Sequence, residues 1–228
     1  MGKKTVPIAV QRTQKRKVFI TSNGKDIGAD PPEDSFKIIP IKPTSVPQAE
    51  KVITVHDREE GKKEEILNHV IDYIRYENKT LKDKEMRNIS ELVYDESVRY
   101  NLDYRLALSL MKIESNFRHN AISKKGARGL LQVKPSLAKY VAEDVGVFWQ
   151  GDETLDEPEK NIKIGVHAFS RLVQDFKNIT MALHAYHVGP TKLKEIISKK
   201  KIPKNVYLNL VLEEYDRNIS LLPAPSNQ

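Results

Sequence analysis

The stretch 106-LALSLMKIES-115 constrains the fold more than any other part of this 228-residue chain. Placed on a helix, it is apolar nearly all round, and such a helix has to lie inside a fold and not on its surface. Asp103 precedes it and is the predicted N-cap, because its carboxylate can accept hydrogen bonds from free amides of the first turn. The sequence therefore predicts a buried helix that carries Glu114 near its end.

Helical patterns continue through the rest of the chain from about residue 61. Apolar residues recur with a period near 3.6 in 62–78 and 84–100, which is typical of amphipathic helices. Further helices are predicted at 135–145, 158–176, 179–187, 190–200 and 203–220, four of which begin at Pro135, Pro158, Pro190 and Pro203. No convincing strand pairing competes with them. We therefore predict an all-α domain over 61–228.

Residues 1–60 differ from the domain in composition. Six prolines interrupt the short apolar runs of this segment, so it is not suited to a sheet core. We interpret it as an extended, largely irregular arm or linker. No internal repeat is apparent in the chain.

The excess positive charge of the chain equals the charge of its first 25 residues. Seven of its 38 basic residues lie in 1–25, where no acidic residue occurs, and the other 31 are matched by 31 acidic residues. The arm is therefore suited to contact an anionic membrane, a wall polymer or an envelope complex, or else to remain a solvated extension. Residues 26–228 are formally neutral when taken together and offer no electrostatic footprint for specific nucleic-acid binding.

Other features narrow the possible classes of protein. The chain has no cysteine, which excludes disulfides and thiolate metal sites, and its six histidines show no metal-ligand spacing. We expect no metal and no cofactor. No membrane span is predicted, because no stretch of the sequence approaches 18 apolar residues. No secretory signal is predicted either, because residues 1–19 lack a continuous apolar core.

Glu114 is the main candidate for catalysis. A carboxyl group on an apolar helix loses solvation, so it either finds partners or keeps its proton to a higher pH than usual. A carboxylic acid that is protonated near neutral pH can act as a general acid. The alternative is a solvated or salt-bridged glutamate at a helix end.

Three motifs occur in a fixed order around this residue. Glu114-Ser115 is followed by Ser123, then by 126-GARGLLQ-132, and later by 185-AYHVG-189. In this order and spacing the motifs resemble those of the soluble lytic transglycosylases, lysozyme-like enzymes that cleave bacterial peptidoglycan. The resemblance covers about residues 86–215. It implies a lysozyme-like all-α domain, peptidoglycan glycan strands as substrate, and a periplasmic or cell-envelope location.

The resemblance also implies a mechanism with one acidic residue. In this family a single glutamate protonates the bond between N-acetylmuramic acid and N-acetylglucosamine, and then takes a proton from the muramoyl 6-hydroxyl. The product has a 1,6-anhydromuramoyl end. No second carboxylate near the motifs is compelling, since Asp103 lies three turns from Glu114 and 152–156 is predicted to be a solvated acidic loop.

The same motifs imply the residues that bind substrate. The implied set is Ser123, Gly129, Gln132, Tyr186, His187 and Tyr207. The glycine would let the backbone approach a sugar, and the tyrosine hydroxyls would orient Glu114 or the substrate. His187 stands where the family usually has asparagine, and this departure concerns the sugar contacts more than the acid.

Two alternative functions remain open from the sequence. One is a hydrolase on the same fold, similar to goose-type lysozyme, in which water attacks the sugar. The other is a non-catalytic wall-binding module, for which His187 is the only motif evidence. A 1,6-anhydro end on the product would indicate the transglycosylase and a reducing end the hydrolase. Absence of any released product would indicate the non-catalytic wall-binding module.

Overall fold

The computed structural model describes residues 55–199 and 206–226, and this part of the chain is helical. Its α-helices are α1 (Val55–Glu77), α2 (Asp83–Arg99), α3 (Tyr104–Ser115), α4 (Pro135–Val141), α5 (Pro158–Phe176), α6 (Ile179–Val188), α7 (Pro190–Ser198) and α8 (Val206–Leu221). Two short 3-10 helices, Glu143–Val145 and Asp152–Asp156, lie between α4 and α5. Extended pairing in these residues is limited to isolated bridges of Arg128 with Ile122 and Val133. The prediction of an all-α fold is confirmed.

The prolines mark the helix starts more reliably than the apolar period does. Pro135, Pro158 and Pro190 each occupy the first turn of a helix, where the missing amide hydrogen is not needed. The first helix begins at Val55, seven residues before its predicted start. The predicted helix start at Pro203 lies outside the described residues, as does the predicted arm up to residue 54.

Helix α3 is buried in the core, as its composition predicts. Leu106, Leu108, Leu110 and Met111 are between 0% and 2% exposed. Asp103 caps the helix, accepting a hydrogen bond from the Arg105 amide at 2.9 Å. Burial of this apolar run therefore stabilises the fold.

Helix α8 packs along α3 in the opposite direction. Near the start of α3, Asp103 accepts a hydrogen bond from the Tyr215 hydroxyl at 2.9 Å. At the end of α3, Glu114 accepts one from Tyr207, which lies near the start of α8. Further along α8 the buried Asn218 amide donates to the Ser109 hydroxyl of α3 at 2.9 Å. The antiparallel packing carries the first turn of α8 to Glu114.

A group of charged side chains joins α1, α3 and α8 beside this packing. The carboxylate of Glu77 has 8% of its side chain exposed, forms an ion pair with Lys112 and lies 2.7 Å from the Arg217 guanidinium. Arg217 also contacts Glu214 at 3.0 Å. Burial alone would raise the pKa of Glu77, but its hydrogen bonds with Lys112 and Arg217 outweigh burial, so the pKa is lowered.

Replacement of Glu77 by alanine is expected to lower the free energy of unfolding by about 2–3 kcal/mol, because it leaves two cations without their shared partner. Since the folded-state pKa is lowered, the stabilisation is present above the unfolded-state pKa and is lost as pH falls through the folded-state value. Urea unfolding at pH 7 and pH 3 measures both effects. Glu213→Ala, an exposed change on α8, is the control. An equal loss at both pH values would contradict the assignment.

Candidate active site

Glu114 occupies the last turn of α3 with a half-buried side chain. The Tyr207 hydroxyl donates a hydrogen bond to its Oε1 atom at 2.6 Å. Burial raises the pKa of Glu114, and the hydrogen bond from Tyr207 opposes this by a smaller amount, so the pKa lies above its usual range. A carboxyl group in this state can hold a proton and still reach a ligand, as a general acid must.

No second carboxylate in the described residues contributes to the pKa of Glu114. Asp103 lies at the other end of α3, about 16 Å away by helix geometry, and is paired with Arg105. The loop 152–156, which was predicted to be solvated, is only partly exposed to solvent. Asp152 is exposed, but half-buried Asp156 forms an ion pair with Arg128.

The chain after α3 turns back onto Ser115, the residue next to Glu114. Asn116 and Phe117 both have left-handed backbone conformations, with φ of 51° and 59°, and the Phe117 side chain is fully buried. The Ser115 hydroxyl donates to the Leu130 carbonyl at 2.8 Å. This hydrogen bond joins the residue beside Glu114 to the glycine-containing motif fifteen positions later.

Ser123 shapes the turn of this loop. Its hydroxyl oxygen accepts a hydrogen bond from the Ala127 amide at 2.9 Å, and its own amide donates to the Ala127 carbonyl at 2.9 Å. Gly126 lies in the turn with φ of 75° and open space where a side chain would stand. The contacts of Ser123 therefore hold the turn closed.

Gly129 is required by the packing beneath the loop. Its φ is 78°, and an added Cβ atom would lie 2.0 Å from Nδ2 of Asn161 and 2.2 Å from the Leu155 carbonyl oxygen. The sequence suggested that this glycine lets the backbone approach a sugar. The missing side chain instead faces protein atoms, so close packing within the fold explains the glycine.

Gln132 also has a left-handed backbone, with φ of 47°. Its Nε2 atom donates to the carbonyl oxygens of Ala121 and Gly129, each at 3.0 Å. These bonds hold its amide across the loop, with Oε1 as the atom suited to accept a hydrogen bond from a ligand.

Tyr186 is near Glu114, but its hydroxyl makes a different contact from Tyr207. It donates to the Leu131 carbonyl at 2.6 Å, and its ring packs edge-on against Phe169. Burial raises the pKa of Tyr186 well above its ordinary value, and the charge of Glu114 adds to the shift. In this structure Tyr186 therefore fixes the loop that flanks Glu114, and Tyr207 is the tyrosine that orients the carboxyl group.

His187 lies on the solvent side of this arrangement. Its imidazole ring stacks on Tyr207 with the ring centres 4.3 Å apart and the planes 17° apart. The structure thus brings Glu114, Tyr186, His187 and Tyr207 together. Ser123, Gly129 and Gln132 form the adjoining loop, which Ser115 and Tyr186 join to the rest of the site.

The arrangement matches a known family. A model of the transglycosylase SLT domain matches residues 91–209, just over half of the chain. The chain belongs to the transglycosylase SLT domain family. The match includes Glu114, the loop that follows it, and Tyr207.

Curated relatives match this chain over a region of similar length. A transglycosylase of Enterobacteria phage PRD1 is 29% identical over 51% of this chain and 40% of its own length. Membrane-bound lytic murein transglycosylase C of Photorhabdus laumondii is 31% identical, over 52% of this chain and 36% of its own. Soluble lytic murein transglycosylase of Salmonella typhimurium is 31% identical, over 39% of this chain and 14% of its own length. The chain thus spans less than half of the length of these relatives.

A solved structure shares the SLT-type, lysozyme-like fold. The 70 kDa soluble lytic transglycosylase of Escherichia coli superposes with a TM-score of 0.53, at 18% sequence identity. The match covers 69% of this chain and 30% of that protein. At this level of identity the likeness concerns the fold.

Asn161, which none of the sequence motifs includes, holds the loop 116–134 in place. Its side chain is fully buried at the start of α5. Oδ1 accepts a hydrogen bond from the Leu131 amide at 2.9 Å, while Nδ2 donates to the carbonyls of Arg128 and Leu155 at 2.9 and 2.8 Å. The available signal was an asparagine on the apolar face of a helix, which has to find partners when buried.

The described residues contain neither a metal-ligand cluster nor a membrane-spanning helix. Across 55–199 and 206–226, no three histidine, aspartate or glutamate side chains are grouped as a metal ion would require. None of the helices in these ranges combines the length and the apolar character of a membrane span.

Proposed function

We propose that this SLT domain is a peptidoglycan lytic transglycosylase in which Glu114 serves as both general acid and general base. The observation that carries the proposal is the half-buried Glu114 carboxyl group, with its raised pKa and its hydrogen bond from Tyr207. The named relatives support the substrate, because two of the three are lytic murein transglycosylases.

In the first step protonated Glu114 donates its proton to the oxygen of the bond between N-acetylmuramic acid and N-acetylglucosamine. The bond from the muramoyl C1 to that oxygen breaks, and N-acetylglucosamine leaves with a free 4-hydroxyl group. The raised pKa supports this step because it keeps the carboxyl group protonated to a higher pH.

In the second step the Glu114 carboxylate takes the proton of the muramoyl 6-hydroxyl. The 6-oxygen then bonds to C1, which gives the 1,6-anhydro ring and restores the protonated acid without consuming water. The lack of any second carboxylate acting on Glu114 in the described residues supports a nucleophile supplied by the substrate.

We propose that the glycan strand lies across the loop 116–134 and the end of α6. In this arrangement Gln132 accepts a hydrogen bond from the sugar through Oε1, Tyr186 supports the loop, and Tyr207 orients the acid. Ser123 and Gly129 act by shaping the loop, as their contacts with Ala127 and Asn161 support.

The substrate implies that the protein acts in the bacterial cell envelope. Contact of the basic arm with an anionic membrane or an envelope complex stays a prediction, because residues 1–54 lie outside the described part.

Mass analysis of products tests the function directly. Purified peptidoglycan is digested with the wild-type protein, and the released muropeptides are analysed for their glycan ends. We expect 1,6-anhydromuramoyl ends. Reducing ends would replace the proposal by a hydrolase similar to goose-type lysozyme, and binding to the wall without any release would indicate a non-catalytic module.

A further inference from the structure

The stacked pair of His187 and Tyr207 joins the end of α6 to the start of α8. Its rings are 4.3 Å apart between centres and 17° from parallel. Tyr207 is 9% exposed, whereas His187 is exposed. The imidazole ring therefore covers a face of the tyrosine on the side towards solvent.

The other end of Tyr207 contacts the proposed acid. Its hydroxyl donates to Oε1 of Glu114 at 2.6 Å, so a small swing of the ring about the Cα–Cβ bond would move the hydroxyl away from the carboxyl group. The ring is held partly by core contacts and partly by the stack with His187. Whatever tilts that stack also changes the hydrogen bond on Glu114.

We propose that His187 is a positioning residue, whose ring holds Tyr207 at the angle from which its hydroxyl reaches Glu114. The inference rests on the proposed function and deepens it, because it gives a role to a residue that does not itself contact the acid. In this role the aromatic ring is the essential feature, and the hydrogen-bonding capacity of the side chain is secondary.

The charges around His187 support a neutral ring that acts through Tyr207. Partial burial lowers the pKa of His187, and His184 on α6 and Lys125 in the loop lower it further. Glu114 on α3 is not among the groups that shift this pKa, although it does act on Tyr186 and on Tyr207 of α8. The imidazole is therefore uncharged at neutral pH and is coupled to Glu114 by packing.

A double-mutant cycle of His187→Ala and Tyr207→Phe tests the coupling. We expect His187→Ala to lower kcat about 3- to 10-fold, with a smaller change in KM, as loss of an aromatic pair would. If His187 acts through the tyrosine hydroxyl, the double variant is no slower than Tyr207→Phe alone. Effects that multiply in the double variant would overturn the inference.

Two further variants separate ring stacking from sugar binding. His187→Phe keeps an aromatic ring without hydrogen-bonding nitrogens, and His187→Asn keeps a polar side chain without a ring. We expect the phenylalanine variant to retain kcat and the asparagine variant to match His187→Ala. The reverse result would assign His187 to substrate contact and overturn its positioning role.

An NMR titration of Glu114 gives a readout that does not need activity. The hydrogen bond from Tyr207 lowers the pKa of Glu114, so its loss should raise that pKa in His187→Ala and in Tyr207→Phe alike. His187→Phe should leave the pKa at the wild-type value. An unchanged pKa in His187→Ala refutes the inference, whereas an inactive wild type with the expected shifts refutes the proposed function alone.

Discussion

Glutamine in place of Glu114 is expected to reduce the release of anhydromuropeptides by about 10²–10⁴-fold, the usual contribution of a general acid or base. The amide has nearly the shape of the carboxyl group and can still accept the hydrogen bond from Tyr207, but it has no acidic proton to donate to the substrate. The rate of product release, measured by chromatography of digested peptidoglycan, checks the effect. Glu143→Gln, an exposed change, is the matched control.

The same variant should fold at least as well as the wild type at neutral pH. Because the pKa of Glu114 is raised in the folded state, the charged carboxylate is less favourable there than in the unfolded chain. This unfavourable contribution is absent below the unfolded-state pKa and grows as pH rises through the folded-state value. A lower Tm for Glu114→Gln at pH 7, or activity near that of the control, would contradict the assignment.

Alanine in place of Gly129 is expected to destabilise the domain by about 2–5 kcal/mol, which combines a strained left-handed backbone with overpacking. Its Cβ atom would lie 2.2 Å from the Leu155 carbonyl oxygen, which belongs to the backbone and cannot rotate away. Urea unfolding of the purified variant measures the loss.

Gly126→Ala is the control that separates the two causes. Its φ of 75° is close to the 78° of Gly129, but nothing lies within 4 Å of its added Cβ atom. We expect a loss of about 1–2 kcal/mol from backbone strain alone. Equal losses in the two variants would show that packing against Asn161 and Leu155 does not explain Gly129.

Where a proline or a capping residue was present in the described residues, it predicted the helix start well. A proline removes an amide hydrogen that the first turn does not use, and Asp103 supplies an acceptor for the amides of α3, so both effects act within a few residues. Helix ends were harder to predict. Helix α4 ends at Val141 where 145 was predicted, and the chain then closes through a 3-10 turn into Gly146, whose φ is 67°.

The proposed acid was found by a combination of composition and resemblance. An isolated glutamate after an apolar run is ambiguous, and the spacing of the later motifs around Glu114 indicated the family. The sequence assigned the orienting role to either tyrosine. In the structure the hydroxyl of Tyr186 contacts Leu131 and that of Tyr207 contacts Glu114, a choice that depends on how α6 and α8 pack.

The sequence by itself determined the all-α class and the buried position of α3, because helix period, capping and apolar content act over short distances along the chain. It indicated Glu114 as the proposed acid through the order of the motifs that follow it. Only the tertiary structure decided which side chains meet around that carboxyl group. Asn161 beneath the loop and His187 over Tyr207 come from other helices, and their contacts depend on packing between elements that no local pattern specifies.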